Sequence, residues 1–264
     1  MELNFLQALT VHCLLFTRMN NHFLEVGRIK AIYRYPVKSM RGESLEEVGV
    51  GWYGLNGDRR FAFIRGDQGN SGFPWLTGRQ IPEMLQYVSR FTNPDDLLQS
   101  PVEVETPRGR VLPVYSEELR QELAHAYGHD VQFMKLKRGL FDSLPLSLMS
   151  TATADALSQT SGQPVDFRRF RQNIIIETFS GQPFAEEEWL DSTLTFGELP
   201  DAPRIRLNRR IERCAMINLD PDSSEKRPEL LRHVAQTRAN CVGVHATPER
   251  PGSIRLGDVV HLWV

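Results

Sequence analysis

Gly27-Arg-Ile-Lys-Ala-Ile-Tyr-Arg-Tyr35 is the stretch from which the fold is read. Apolar and charged residues alternate along it, the period of a strand with one face in a core. Ile29, Ala31 and Tyr33 fall on one side, and Arg28, Lys30, Ile32 and Arg34 on the other. Pro36 follows and ends the ladder, because it has no backbone N–H to donate. Lys38 and Ser39 then stand in a short turn. A cation beside a hydroxyl after a rigid proline turn suits a phosphate, and equally suits a plain solvated turn.

Outward from that strand, the same period recurs in short pieces. Strands are expected at 45–50, 61–65, 131–136 and 172–177, with a hairpin of 102–106 and 110–114 around Pro107-Arg-Gly109. Asp58-Arg59-Arg60 precedes the strand at 61–65; either the arginines pair with Asp58 or one of them faces an anion. Helices are few: a single turn at 82–87, one at 117–127 between a Ser116 cap and a Gly128 stop, and one at 150–160 stopped by Gly162. Later come a strand pair in 189–196 around Asp191-Ser192, two strands in 204–217, and a helix at 228–237. Strands at 242–245, 253–256 and 259–264 close the chain, with Gly257-Asp258 as a turn. The pattern predicts a mainly β protein with few short helices, in two barrel-like β units of 26–140 and 141–264.

Length and charge narrow the function. With 264 residues and a net charge of −2, the chain has no electrostatic footprint for nucleic acid or an anionic membrane. Any anion site must be local. The three cysteines, Cys13, Cys214 and Cys241, are odd in number and widely spaced, without a CxxC. That argues against a disulfide framework or a closed zinc site and for a reducing, cytoplasmic setting. The apolar run 1–16 is too short to span a bilayer and lacks the basic start of a signal peptide. Residues 1–25 are expected to be a disordered extension or a mis-assigned start.

Thr237-Arg-Ala-Asn-Cys-Val-Gly-Val-His245 places Cys241 between a helix end and a β-branched run, with Arg238 three residues before it. A thiolate at such a junction can face a cleft and bind a soft metal; a small buried thiol is the plainer alternative.

Several motifs together carry a family resemblance. Tyr35-Pro-Val-Lys-Ser39, Gly54-Leu-Asn-Gly-Asp-Arg-Arg-Phe61 and Thr77-Gly-Arg-Gln80 resemble the N-terminal β-barrel domain that accompanies MOSC domains. Phe170-Arg-Gln-Asn-Ile174, Arg213-Cys214, Asp220-Pro-Asp222 and Pro251-Gly-Ser-Ile-Arg-Leu-Gly-Asp258 resemble the MOSC domain itself. The pattern is similar to that of the mitochondrial amidoxime-reducing components and their bacterial counterparts. The resemblance implies a molybdenum–molybdopterin cofactor between the two domains. It implies that Lys38, Ser39, Arg59, Arg171 and Asn173 contact that cofactor, with Gln172 where the family has proline. Arg238 is expected beside it. Cys241 is implied as the metal ligand and catalytic thiolate, although it abuts its strand where relatives carry an insertion; Cys214 aligns with a cysteine that looks structural. The family has also been linked with pyridoxal phosphate. The implied activity is reduction of N-hydroxylated small molecules by a monomer. Electrons would come from a separate ferredoxin- or flavin-type reductase, with neither nucleic acid nor stable membrane insertion. A non-catalytic cofactor or sulfur carrier is the alternative.

Overall fold

The structure, a computed structural model, describes residues 23–68, 71–136, 139, 143–197 and 201–263. Most of the expected N-terminal extension, and Cys13 within it, lies outside the described residues. In chain order the strands are β1 (Phe23–Arg34), β2 (Glu43–Leu45), β3 (Glu47–Gly51), β4 (Gly54–Leu55), β5 (Phe61–Arg65), β6 (Val88–Phe91), β7 (Val102–Glu105) and β8 (Val111–Pro113). There follow β9 (Val131–Lys135), β10 (Leu146–Ser150), β11 (Ile174–Thr178), β12 (Thr193–Phe196), β13 (Arg204–Glu212), β14 (Cys241–Arg250), β15 (Gly252–Arg255) and β16 (Val259–Trp263). Among the described residues the α-helices are α1 (Glu117–Tyr127), α2 (Thr151–Ser161), α3 (Ala185–Glu188) and α4 (Glu229–Arg238).

The mainly β expectation holds, and the organising unit is a closed barrel. Around it run β11, β10, β14, β13, β12, β16 and β1, and β1 closes the ring on β11. Closure gives every strand two partners and removes the exposed edge of an open sheet. The closing strand comes from far up the chain: β1 pairs with β16 through 23–28 and with β11 through 27–32. The pair β10–β11 is parallel and is connected through α2, as a parallel pair requires a crossover. Ile29, Ile32, Leu148, Ile174, Ile176 and Val244 fill the interior.

Strict alternation in β1 does not survive. The register shifts between Glu25 and Gly27 and again between Ile29 and Ala31. Such a bulge inserts one residue and flips the parity beyond it. Ile32 therefore joins Ile29 inside the barrel, while Ala31 and Tyr33 pack outward against Leu157, Phe170 and Val234 on the helical side.

A second core lies beside the barrel. The β5–β9 ribbon and the β6–β7–β8 meander pack Phe61, Phe63, Val102 and Val104 against Leu119 and Leu123 of α1. The caps of α1 are as expected: Ser116 Oγ accepts the Leu119 N–H, and Gly128 is left-handed. Ser150 and Gly162 cap α2 in the same way.

Two expectations fail locally. No strand pair forms in 189–196; α3 precedes β12, and Asp191, at φ 64°, makes the turn between them. The two strands expected in 204–217 are one strand, β13, with three register shifts against β14, followed by a 3₁₀ turn at Ala215–Asn218. Bulges break period two much as a turn would, so the sequence alone does not separate them.

Candidate functional site

The turn after β1 is fixed by its backbone. Lys38 N–H donates to Phe61 O at 2.8 Å, and Arg59 N–H donates to Tyr35 O at 2.7 Å. Buried Asp58 joins the two segments: one oxygen accepts the Tyr35 N–H at 2.7 Å and the other meets Arg59 Nη1 at 2.5 Å. Arg59 pairs with Asp58 and also lines a cavity. Arg60 turns away, its Nε donating to Leu136 O. Lys38 lies over the rings of Phe73 and Trp75.

The segment before β11 forms the facing wall. The guanidinium groups of Arg59 and Arg171 lie over the Tyr35 ring, 4.7 and 4.3 Å from its centroid. Burial pushes the Tyr35 hydroxyl up to about 12, against the pull of the two arginines, so it stays a neutral donor, to Gln172 O. Arg59 Nη2 donates to Arg171 O, and Arg171 Nη2 to Met40 O. The Asn173 side chain accepts from Ser147 Oγ at 3.1 Å and donates to Tyr33 O at 3.2 Å. It anchors three strands as well as facing the cavity.

β13 and β14 supply the third wall. Their last shift sets Arg210 opposite Val244 and Glu212 opposite Cys241. Two residues on β14 then face one on β13, and Gly243 takes φ +71° to make this bulge. Arg213 is buried, donating to Phe170 O and Val242 O. Burial pulls it down to about 10, so it remains a cation at neutral pH. His245 is held at about 4 by burial and by Arg213, Arg209 and Arg59, partly opposed by a hydrogen bond to the Leu146 carbonyl. A carbonyl only accepts, so Nδ1 carries the proton and Nε2 is the basic nitrogen.

These walls enclose a cavity of about 570 Å³. Lys38, Ser39, Arg59, Arg171, Asn173 and Cys241, expected from the sequence, all line it. Arg238 does not: its guanidinium stacks on Phe184 and pairs with Glu187 at 2.6 Å. Cys214, read as structural, is exposed and reaches the same cavity. Sequence reasoning missed Ser147 and the arginines 169, 209, 210 and 213, which also line it. The run Arg209-Arg210, with Arg213 one turn on, was the available signal; a single parity assignment for β13 hides it. Ser39, Arg59, Arg171 and Asn240 are left-handed non-glycine residues, the kind of local strain that gathers where a ligand is clamped.

The lining carries seven cationic side chains and one carboxylate, Glu212. Such a wall fits a polyanion. Among the described residues no three His, Cys, Asp or Glu side chains converge on a metal. Cys241 and Cys214 are the soft thiol donors that the lining offers. Gln172 is buried in the lining with neither end of its carboxamide hydrogen-bonded.

The MOSC N-terminal beta barrel domain matches residues 26–134, and the MOSC domain matches residues 135–261. Mitochondrial amidoxime-reducing component 1 of Xenopus laevis is 26% identical over 90% of this chain and 82% of its own. The Homo sapiens protein of the same name is 23% identical over 93% and 86%. Among solved structures, the YuaD protein from Bacillus subtilis covers 90% of this chain and 95% of its own at 12% identity and a TM-score of 0.47.

Proposed function

Because the chain belongs to the MOSC-domain proteins that carry the MOSC N-terminal β-barrel domain, we propose that it binds a molybdenum–molybdopterin cofactor and acts as an oxidoreductase. Its substrates are N-hydroxylated small molecules, and its electrons come from a separate reductase. One observation carries the reading: seven cations, two thiols and one carboxylate converge on one cavity. Amidoxime-reducing relatives aligned over most of the chain supply the reaction class.

Lys38, Ser39, Arg59 and Arg171 hold the cofactor phosphate, with Asn173 bracing the wall behind them. Cys241 is the protein thiolate offered to the metal. When bound, the cofactor would supply a two-electron redox centre. In the overall reaction the N–O bond of an amidoxime breaks, two electrons and two protons are taken up, and an amidine and water leave. The protein orients the substrate, excludes bulk water and delivers protons. His245 is positioned for the last task. Burial keeps it neutral, and a polyanion placed among its arginines raises its proton affinity. Among the described residues no helix is long and apolar enough to cross a membrane.

Reduction of a simple amidoxime by the purified holoprotein with an added reductase tests the proposal. Amidine formation that is lost in Cys241→Ala is the expected result. A molybdenum-loaded protein that forms no amidine, with every reductase supplied, points instead to a carrier of cofactor or sulfur.

A further inference from the structure

Gln172 is 1% exposed, and neither Nε2 nor Oε1 has a hydrogen-bond partner. An unpaired buried carboxamide is costly, and proteins rarely keep one without a use. Its neighbours leave the group its space. A Cβ on Gly243 would lie 2.4 Å from Gln172 Nε2, so the residue after Val242 has to be glycine for the carboxamide to sit where it does. The carboxamide therefore lies against the strand that begins with Cys241, and Gln172 lines the cavity between Arg171 and Asn173. Those neighbours are differently used. Arg171 and Asn173 have partners within the protein, at Met40 O and at Ser147 and Tyr33. Gln172 alone in that triplet offers a neutral donor and a neutral acceptor that nothing in the protein takes up.

Cations read phosphate. A carboxamide instead matches a ring edge carrying an acceptor beside a donor, as the lactam edge of a pterin does. We infer that Gln172 is a cofactor-positioning residue, whose carboxamide turns from Gly243 to hydrogen-bond the pterin edge of the cofactor while the arginines hold its phosphate. The inference rests on the cofactor reading above and adds to it a residue that distinguishes this chain.

The two states of the protein make opposite demands on this side chain, which provides the test. In the empty protein, Gln172→Met keeps the volume and removes two unpaired polar atoms. Its melting temperature should equal the wild type's or exceed it by about 2–4 °C. In the loaded protein the same change removes up to two hydrogen bonds to the ring, and retention of cofactor during dialysis should weaken about tenfold. Gln172→Glu keeps the shape and the acceptor, loses the donor and adds an anion, so retention should weaken at least as far. Retention is read as molybdenum and as oxidised pterin fluorescence per chain, without any assay of activity. Wild-type protein that carries molybdenum and pterin, with both variants retaining them equally well, overturns the inference and leaves the cofactor reading standing. An empty variant that melts well below the empty wild type marks Gln172 as a packing residue and also overturns it. Wild-type protein made in a cofactor-producing host yet devoid of both overturns the cofactor reading and this inference with it.

Discussion

Along β10, Leu146 and Leu148 enter the barrel core while Ser147 between them lines the cavity; along β14, Val244 and Ala246 do the first and His245 the second. The same strands thus build two regions by opposite rules. Inside the barrel, side chains are apolar and need only fill volume, and the bulges of β1 are absorbed by moving Ile32 rather than Ala31 into the core. In the cavity, bulges and left-handed residues interrupt the alternation, cations are buried, and most polar atoms have a named partner. The difference teaches that stability and binding separate by side-chain orientation more than by element. Mutations on one β10 residue or its neighbour should therefore show different phenotypes.

The largest effect is expected in the core. Leu148→Ala should cost about 2–5 kcal/mol in urea unfolding, by lost transfer energy and a cavity, with unchanged molybdenum per folded chain. If its folded fraction lost cofactor selectively, the two regions would not be separable.

Arg171→Ala should reverse that pattern. Retention of cofactor should fall by about tenfold to a hundredfold through the lost charge-assisted hydrogen bonds, while unfolding shifts by roughly 1 kcal/mol. Cofactor analysis after gel filtration reads the first and urea titration the second. Normal retention here would remove the phosphate-clamp role.

A pH titration sharpens the contrast. The His245 pKa is depressed to about 4 in the fold from an ordinary 6.5. Between those values the unfolded chain takes up a proton that the folded empty protein does not, so stability is present above about 6.5 and declines as pH falls toward 4. Substituting His245→Gln should flatten that limb by on the order of 1 kcal/mol. A loaded cavity should flatten it too, since bound anion raises the folded pKa. Equal acid sensitivity in wild type and variant would show that other groups dominate.

The smallest change falls between the regions. Ala239, at the end of α4 with φ 50°, is strained where glycine is not. Ala239→Gly should raise the melting temperature, corresponding to about 0.5–1 kcal/mol, with no change in cofactor content. A destabilised variant would contradict that assignment of strain.

The core was largely legible in the sequence because alternation, capping serines and terminal glycines are local signals: Ser116 and Gly128 bound α1 as read. The inner face of β1 was not, because a bulge between Ile29 and Ala31 changes parity without any composition cue. The cavity was legible where motifs repeat a family pattern, at Lys38, Ser39, Arg59, Arg171 and Asn173. It was opaque at Arg209, Arg210 and Arg213, whose convergence depends on the bulges of β13 against β14, a non-local pairing across 29 or more residues of chain. Arg238 illustrates the converse. Proximity to Cys241 in sequence suggested the site, but Glu187 of α3, joined to it only in the fold, draws the guanidinium away.

The most direct test of the cavity's role is the molybdenum content of purified wild-type chain and of Arg171→Ala, both made in a host that synthesises the cofactor. Under the proposed function, close to one molybdenum, with pterin, is expected per wild-type chain, and a strong loss in the variant. Folded wild-type protein free of molybdenum, or a variant that keeps its full complement, would contradict the account.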